Sequence, residues 1–157
     1  MTASTYGAFW NWSLERYARN GVEHKLLRLQ DAFGLNVNIA LWTCWTATRF
    51  EPLTDAHLRN AMELTAAWSE RITKPLRNVR RSLTSPETAD ATALRGQIKD
   101  AELQAEKVEQ DMLEALAFEW LQPLTGLEDA PYGRARKNLS TYGRLAGGAL
   151  AAGELSS

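Results

Sequence analysis

The sequence is poor in the residues that build reactive sites or covalent crosslinks. It contains one cysteine, Cys44, and two histidines, His24 and His57, among 157 residues. One cysteine cannot form an internal disulfide, and this supply of sulfur and imidazole groups is too small for an ordinary zinc site. We therefore expect no metal, no cofactor and a chain that folds in the reducing cytoplasm.

Catalytic motifs and long apolar runs are also missing. The sequence has no phosphate-binding glycine loop, no dinucleotide-binding fingerprint and no nucleophile elbow. Its most apolar stretch, residues 37–48, is too short to span a bilayer, and no basic region followed by an apolar run opens the chain. We expect no secretory signal, no membrane contact and a cytoplasmic location.

The residues that are present are typical of a globular helical protein. Hydrophobic residues make up 45% of the chain, charged residues make up 24%, and the net charge is −1. Residues that favour helices dominate, and no segment alternates apolar and polar residues as a strand would. We predict one all-α domain over residues 1–157, with its core in residues 6–122 and a C-terminal loop and weak helix in residues 123–157.

The spacing of apolar residues predicts a compact bundle of about six to seven helices. The third helix is apolar nearly all the way round, so we expect it to be buried at the centre. The fourth should break at Pro75, whose ring clashes with a continuing helix, and glycines weaken the last one. The predicted helices cover about 8–19, 22–33, 37–49, 54–73, 75–83, 87–121 and 134–152.

Polar residues interrupt the most apolar part of the chain. Asp31 falls at the end of the second predicted helix, and Asn36 and Asn38 fall at the start of the third, where free N–H groups need acceptors. We predict a structural junction in which Asn36 caps the third helix and Arg28 supports Asp31. Because His24 shares the face of Arg28 and Asp31, a site for a small anion or an acid–base pair stays open as the second interpretation.

Six tryptophans are many for a chain of this length. We expect most of them to fill the core, with their indole N–H groups bonded to buried acceptors. The alternative is a pocket lined by tryptophans between the first, third and fourth predicted helices. The candidates for such a pocket are Trp10, Trp42, Trp45 and Trp68.

Charge is unevenly distributed along the second half of the sequence. Residues 71–81 carry five positive charges and no acid, whereas residues 100–119 carry seven acids and one lysine. These runs predict either solvated, mutually complementary helix faces or a docking surface for an anionic partner. The near-neutral total charge argues against nucleic acid. The candidate contact residues are Arg71, Lys74, Arg77, Arg80 and Arg81.

The long predicted helix has an apolar residue at alternating steps of four and three from Leu94 to Ala115. This heptad spacing is typical of a helix that pairs with another helix, and Ala101 and Ala105 allow a close approach. We expect its mate to be either the C-terminal helix of the same chain or, as we favour, the same helix of a second copy in antiparallel orientation.

Residues 9–45 also resemble a known family. The resemblance rests on the spacing FWxW…YAxxGV…LQDxxGxxVNxxLxxxW, with Asn36 at a position where the family often has aspartate. This pattern is similar to that of a small family of proteins of unknown function found mainly in proteobacteria. The resemblance runs more loosely to about residue 120, and it implies a bacterial, cytoplasmic, all-helical domain without a known activity.

These observations favour a non-enzymatic protein–protein interaction domain, an adaptor or regulatory protein. The alternative is a domain that binds or converts a small molecule in the tryptophan-lined pocket. No catalytic residue is assigned, because Cys44, the one strong nucleophile, falls in the most apolar predicted helix and is expected to be buried and inert.

Overall fold

The described part of the chain is helical. In a computed structural model of the protein, the only β-type pairing among the described residues is an isolated bridge between Phe50 and Pro123. The all-α prediction is confirmed for these residues. The structure describes residues 7–17, 35–83, 88–125 and 131–156, with side chains of the last range given up to residue 147.

The described residues contain five continuous helical segments. We name their α-helices α1 to α6, and the third segment runs through α3, a π-helix and α4 without interruption. The helices are α1 Ala8–Tyr17, α2 Val37–Thr46, α3 Asp55–Trp68, the π-helix Ser69–Thr73, α4 Lys74–Ser82, α5 Ala89–Trp120 and α6 Pro131–Ser156. The long helix predicted at about 87–121 is confirmed as α5, whereas the helix predicted at about 22–33 lies outside the described residues.

The helix predicted at about 75–83 is present as α4, with Pro75 in its first turn, but the chain stays helical across the expected break, so the helical segments of the described residues number five rather than six to seven. The helical segment continues from Asp55 to Ser82, because a π-turn precedes the proline. In this wide turn the Lys74 N–H bonds to the Ser69 carbonyl, five residues earlier. The wider turn leaves room for a proline ring that a regular α-helix would press against a carbonyl of the preceding turn.

The chain divides into two compact units. Met1–Met62 and Gln110–Ser157 form the first unit, and Glu63–Glu109 form the second. Within the first unit α2 packs against α1 and α6, and seven of its ten residues are buried. The prediction of a helix buried on all sides is therefore wrong for α2, because Val37, Asn38 and Cys44 are only half-buried.

Aromatic rings fill the core of the first unit. Phe9 stacks on Trp45 with 5.2 Å between ring centroids, and Trp45 meets Phe50 and Phe118 edge-on. Phe9, Trp42 and Trp45 are at most 1% exposed. Such ring pairs add roughly 0.5–1.5 kcal/mol each beyond the burial of their area. The aromatic cluster therefore holds α1, α2 and the C-terminal part of α5 together.

The expectation of tryptophans in the core is confirmed for two of them. Trp42 and Trp45 are buried, and the Trp42 indole donates to the Leu113 carbonyl at 2.8 Å. Trp10 is half-buried, and Trp120 at the end of α5 is exposed. None of the described helices has both the length and the apolar character that crossing a membrane requires.

Candidate functional site

The predicted polar junction is described only in part. His24, Arg28 and Asp31 lie outside the described residues. Asn36 is the N-cap of α2, and its side-chain oxygen accepts a hydrogen bond from the Ile39 N–H at 3.1 Å. The cap predicted for this residue is therefore confirmed, whereas the role of the three other residues stays a prediction.

Asn38 belongs to a polar cluster that joins three helices. The side-chain nitrogen of Gln110 in α5 donates to the Asn38 oxygen at 2.9 Å and to the Ser13 hydroxyl at 3.0 Å. The side-chain oxygen of Gln110, Oε1, is buried and has no hydrogen-bond partner. A buried acceptor without a donor lowers the stability of the fold by about 1–3 kcal/mol. The cluster therefore connects α1, α2 and α5, but one of its buried polar atoms is unsatisfied.

Glu114 is a buried carboxylate that the charge pattern alone would place in solvent. It is 1% exposed, and its two oxygens accept from the Gly7 N–H at 3.1 Å and the Phe9 N–H at 2.9 Å. These N–H groups lie at the start of α1, where no earlier helical turn can accept from them. Glu114 therefore caps α1 from a distant helix, and its role is structural.

A polar residue on α6 fastens this helix to the first unit. Asn138 is fully buried, and its amide nitrogen donates to the Thr43 carbonyl at 3.0 Å. Its side-chain oxygen accepts from the Leu53 N–H at 2.9 Å. One side chain thus bonds two main-chain groups of the first unit, the Thr43 carbonyl in α2 and the Leu53 N–H outside the helices.

The same face of α6 makes further contacts one turn away on each side. Arg134 donates to the Ala47 carbonyl at 2.8 Å, and the Tyr142 hydroxyl accepts from the Asn36 N–H at 2.9 Å. Arg134, Tyr142 and Ala146 are all buried. The sequence does carry a signal for this face, a spacing of four residues, but its polar members hide it from a search for apolar stripes.

The candidate pocket residues fall into different parts of the structure. Trp10, Trp42 and Trp45 belong to the first unit and Trp68 to the second.

Burial raises the pKa of the Cys44 thiol above its usual value, although a hydrogen bond with Thr43 and the charge of Arg16 act in the opposite direction. A raised pKa leaves little of the reactive thiolate at neutral pH.

The second unit is a helical hairpin. One arm, residues 63–82, is joined through residues 83–88 to the other arm, residues 89–109 of α5. A connection this short makes the two arms antiparallel neighbours. The Trp68 indole of the first arm donates to the Ala105 carbonyl of the second at 3.0 Å. At Ala105, therefore, the neighbour of the long helix is the preceding arm of its own chain.

Most of the candidate basic residues are paired within the hairpin. Arg80 donates to Glu102, and the Arg77 guanidinium lies 3.9 Å from the same carboxylate. Lys74 pairs with Glu70 on its own arm. The complementary charges of the two arms therefore hold the hairpin together. The side chains of Arg71 and Arg81 are exposed.

Three glutamates crowd one side of the second arm. Glu102, Glu106 and Glu109 follow one another at steps of four and three, which places them along one face of α5. Desolvation and then repulsion by Glu109 and Glu102 raise the pKa of Glu106 above its usual value, and Arg77 partly opposes this shift. More than a third of Glu106 is exposed, so water screens much of this repulsion.

The hairpin has almost no core. Among its described residues only Thr65, Thr73, Ala105 and Glu109 are buried, and α4 contains no buried residue. Its largest apolar side chains near the connected end are half-buried or exposed. We call these five residues the hairpin seam: Leu76, Val79, Leu83, Leu94 and Ile98.

Two members of the hairpin seam are exposed to nearly half their surface, Val79 at 46% and Leu94 at 45%. Leu103, 55% exposed, lies about 200° around α5 from Ala105 and so outside the seam. Within the described ranges, no cluster of three or more Cys, His, Asp or Glu side chains is arranged to hold a metal ion.

Comparison with known proteins places the chain in a family. Residues 8–113 match the model of a protein family of unknown function, DUF2390. The matched range includes α1, α2 and the whole hairpin, and it ends before α6 begins. Neither the curated proteins nor the solved structures compared with the chain give a match. Since the family model covers about two thirds of its length, the chain belongs to the DUF2390 family of proteins of unknown function.

Proposed function

We propose that the protein is a non-enzymatic protein–protein interaction domain, an adaptor or regulatory protein of the bacterial cytoplasm, and that a partner docks on the hairpin. The observation that carries this proposal is the hairpin seam, a set of apolar side chains on two neighbouring helices with little protein over them. Large apolar side chains that remain exposed in the folded protein are typical of interaction sites when they form a common patch.

The seam offers a useful amount of binding energy. Burial of apolar surface contributes about 25 cal/mol per Å², so completing the burial of a half-covered Leu, Ile or Val is worth on the order of 1 kcal/mol. Five such residues supply several kcal/mol, which helps to offset the entropy lost when two molecules associate. The hairpin therefore gains stability from a partner that covers it.

Amphipathic helical structure in a protein partner, either one helix or a pair of helices, fits this surface. Two antiparallel helices leave a shallow groove between them, and a third helix fills such a groove with residues spaced by three and four. Nucleic acid fits less well, because Glu102 neutralises part of the charge of Arg77 and Arg80, and Glu106 lies one turn beyond it.

The groups that could have served catalysis or ligand binding have structural partners instead. The indole N–H groups of Trp42 and Trp68 donate to main-chain carbonyls, and burial disfavours the thiolate of Cys44. Asn38 and Glu114 connect helices. These contacts support a binding role over a catalytic one.

Site-specific photo-crosslinking in the native cell tests the proposal. A photoreactive phenylalanine analogue replaces Val79 or Leu94 in the seam, and the control carries it at Leu103, which is at least as exposed but lies outside the seam. We expect covalent protein adducts from positions 79 and 94 and few from position 103. Circular dichroism of each purified variant verifies its fold. Equal yields at all three positions, or no adducts from folded seam variants, would contradict the proposal.

A further inference from the structure

We infer that the occupant of the hairpin is the hairpin of a second copy of the chain, packed so that the basic arm of each copy lies against the acidic arm of the other. This inference rests on the proposed docking role of the hairpin and names its partner. Here the basic arm is residues 63–82 and the acidic arm is residues 89–109.

The hairpin has almost no apolar core of its own among its described residues. Two helices side by side shield their shared apolar residues from two directions only, whereas four helices enclose them. In this hairpin the residues meant for such a core, among them Val79 and Leu94, remain nearly half exposed. Two identical hairpins brought face to face convert two open seams into one four-helix core.

The faces of two hairpins are large enough to form a dimer interface. The basic arm contains 20 residues, which at 1.5 Å each form a helical rod about 30 Å long, and two adjacent helices are about 20 Å wide. The face of one hairpin is therefore about 600 Å², and two of them bury about 1,200 Å² in total. This area lies at the lower end of the range for specific, stable protein–protein complexes.

The two arms of the hairpin carry opposite net charges. The basic arm carries five basic and two acidic residues, and the acidic arm carries five acidic and three basic residues. Their net charges are +3 and −2, and Arg80 and Glu102 show that the two arms attract each other within one chain. The same attraction is available between arms of different chains.

Charge also selects the symmetry of the dimer. If the two-fold axis runs along the helices, each basic arm lies beside the acidic arm of the partner. The two basic arms then lie at diagonally opposite corners of the four-helix bundle, as do the two acidic arms. If the axis runs across the helices, each arm faces its own counterpart, and like charges are opposed along the whole interface. Because like-charge contacts are unfavourable, we infer the first arrangement. This arrangement separates the two copies of α5, whereas the heptad spacing led us to expect that they pair directly in antiparallel orientation.

Light scattering after size exclusion tests the association itself. We expect the purified full-length protein to show twice its 17.6 kDa chain mass. Leu94→Glu in the seam should reduce the mass to that of one chain, and Val79→Glu provides a second variant should the first misfold. Leu103→Glu, outside the seam, should keep the double mass. A single-chain mass at every concentration, or equal effects of folded Leu94→Glu and Leu103→Glu, would overturn the inference.

Thiol crosslinking tests the symmetry. Ala89→Cys places a thiol at the exposed start of α5, and Cys44→Ala removes the native thiol. With the axis along the helices, the two new thiols lie at the same end of the bundle, and a short bifunctional maleimide should join them. With the axis across the helices they lie about 30 Å apart. A dimer that resists crosslinking at this position would overturn the inference, and the Cys44→Ala parent, which should not crosslink, is the control.

The two proposals fail in different ways. A purified chain that stays monomeric while positions 79 and 94 crosslink to a different protein in cells overturns the second copy as partner and supports the docking role. A monomeric chain that gives no adducts from either position overturns both. A dimer whose cellular adducts are themselves joined copies of the chain supports both.

Discussion

Asn138 and Thr43 hold α6 against α2 through one buried amide. The Asn138 nitrogen donates to the Thr43 carbonyl at 3.0 Å, while its oxygen accepts from the Leu53 N–H at 2.9 Å. The Thr46 hydroxyl donates to the same carbonyl at 3.2 Å. Leu53 lies between helices, so its N–H has no helical acceptor. The position of α6 is therefore specified by polar contacts as well as by apolar packing.

Asn138→Leu should destabilise the protein strongly. The substitution keeps roughly the side-chain volume but leaves the Leu53 N–H unsatisfied and removes one donor to Thr43, and an unsatisfied buried group costs about 1–3 kcal/mol. We expect a loss of about 2–4 kcal/mol in the free energy of unfolding, measured by urea denaturation. Lys137→Leu, at the exposed neighbouring position, should change it by less than about 0.5 kcal/mol. Equal losses would show that the amide has no special role.

Glu114→Ala should loosen the start of α1. The carboxylate accepts from the Gly7 and Phe9 N–H groups, and hydrogen bonds to a charged group contribute about 1.5–3 kcal/mol. We expect a lower free energy of unfolding and faster amide hydrogen exchange at residues 7–11. Glu119→Ala on the exposed side of the same helix is the matched control and should have little effect. Unchanged exchange at the start of α1 would contradict this role.

Glu106→Gln should stabilise the hairpin at neutral pH and not at acid pH. Desolvation and the nearby Glu109 and Glu102 raise the pKa of Glu106, so the folded state binds its proton more tightly than the unfolded state does. This carboxyl group therefore favours folding only when it is protonated, and its contribution is lost as the pH rises through the raised pKa.

Thermal melts of wild type and Glu106→Gln at pH 7 and at about pH 4 measure this effect. The lower pH lies below the ordinary glutamate pKa of ~4.3, so a glutamate with a raised pKa is mostly protonated there. We expect a higher midpoint for the variant at pH 7 and a smaller difference at the lower pH. Glu119→Gln, at an exposed position of the same helix, is the matched control and should change the midpoint little. A variant that is less stable than wild type at pH 7 would contradict the sign of the shift.

The features that local sequence rules control are the ones that could be predicted. The heptad spacing from Leu94 onward predicts α5 to within about two residues at each end. Asn36 before an apolar run predicts the N-cap of α2. Both depend on residues within one or two helical turns, and such short-range preferences act in almost any fold.

The features that depend on distant residues could not be predicted. Glu114 and Gln110 lie in an acidic part of the sequence that looks solvated, yet both are buried because Gly7, Phe9 and Ser13 need their side chains. The break expected at Pro75 fails for a related reason. A π-turn is less favourable than an α-turn, and the sequence around it contains no separate signal for that geometry.

Cys44 should react slowly with thiol reagents in the folded protein. Burial raises its pKa, so the thiolate fraction at pH 7.5 is below that of a free cysteine. We expect modification by a chromogenic disulfide reagent to be at least tenfold slower in buffer than in 6 M guanidinium chloride, where the shift is abolished. Because the rate should rise with pH well above the ordinary thiol pKa, a plateau below pH 8 would contradict a raised pKa and reopen a reactive role.

Trp68→Phe and Trp42→Phe should affect different parts of the chain. Each substitution keeps an aromatic ring and removes one indole N–H, the donor to Ala105 in the hairpin or to Leu113 in the first unit. A hydrogen bond contributes about 1 kcal/mol, which corresponds to about fivefold faster exchange through local opening. We expect Trp68→Phe to accelerate amide exchange mainly in residues 63–109, and Trp42→Phe mainly in residues 35–62 and 110–125. Exchange that rises equally across the whole chain in both variants would show that the two compact units open as one cooperative domain.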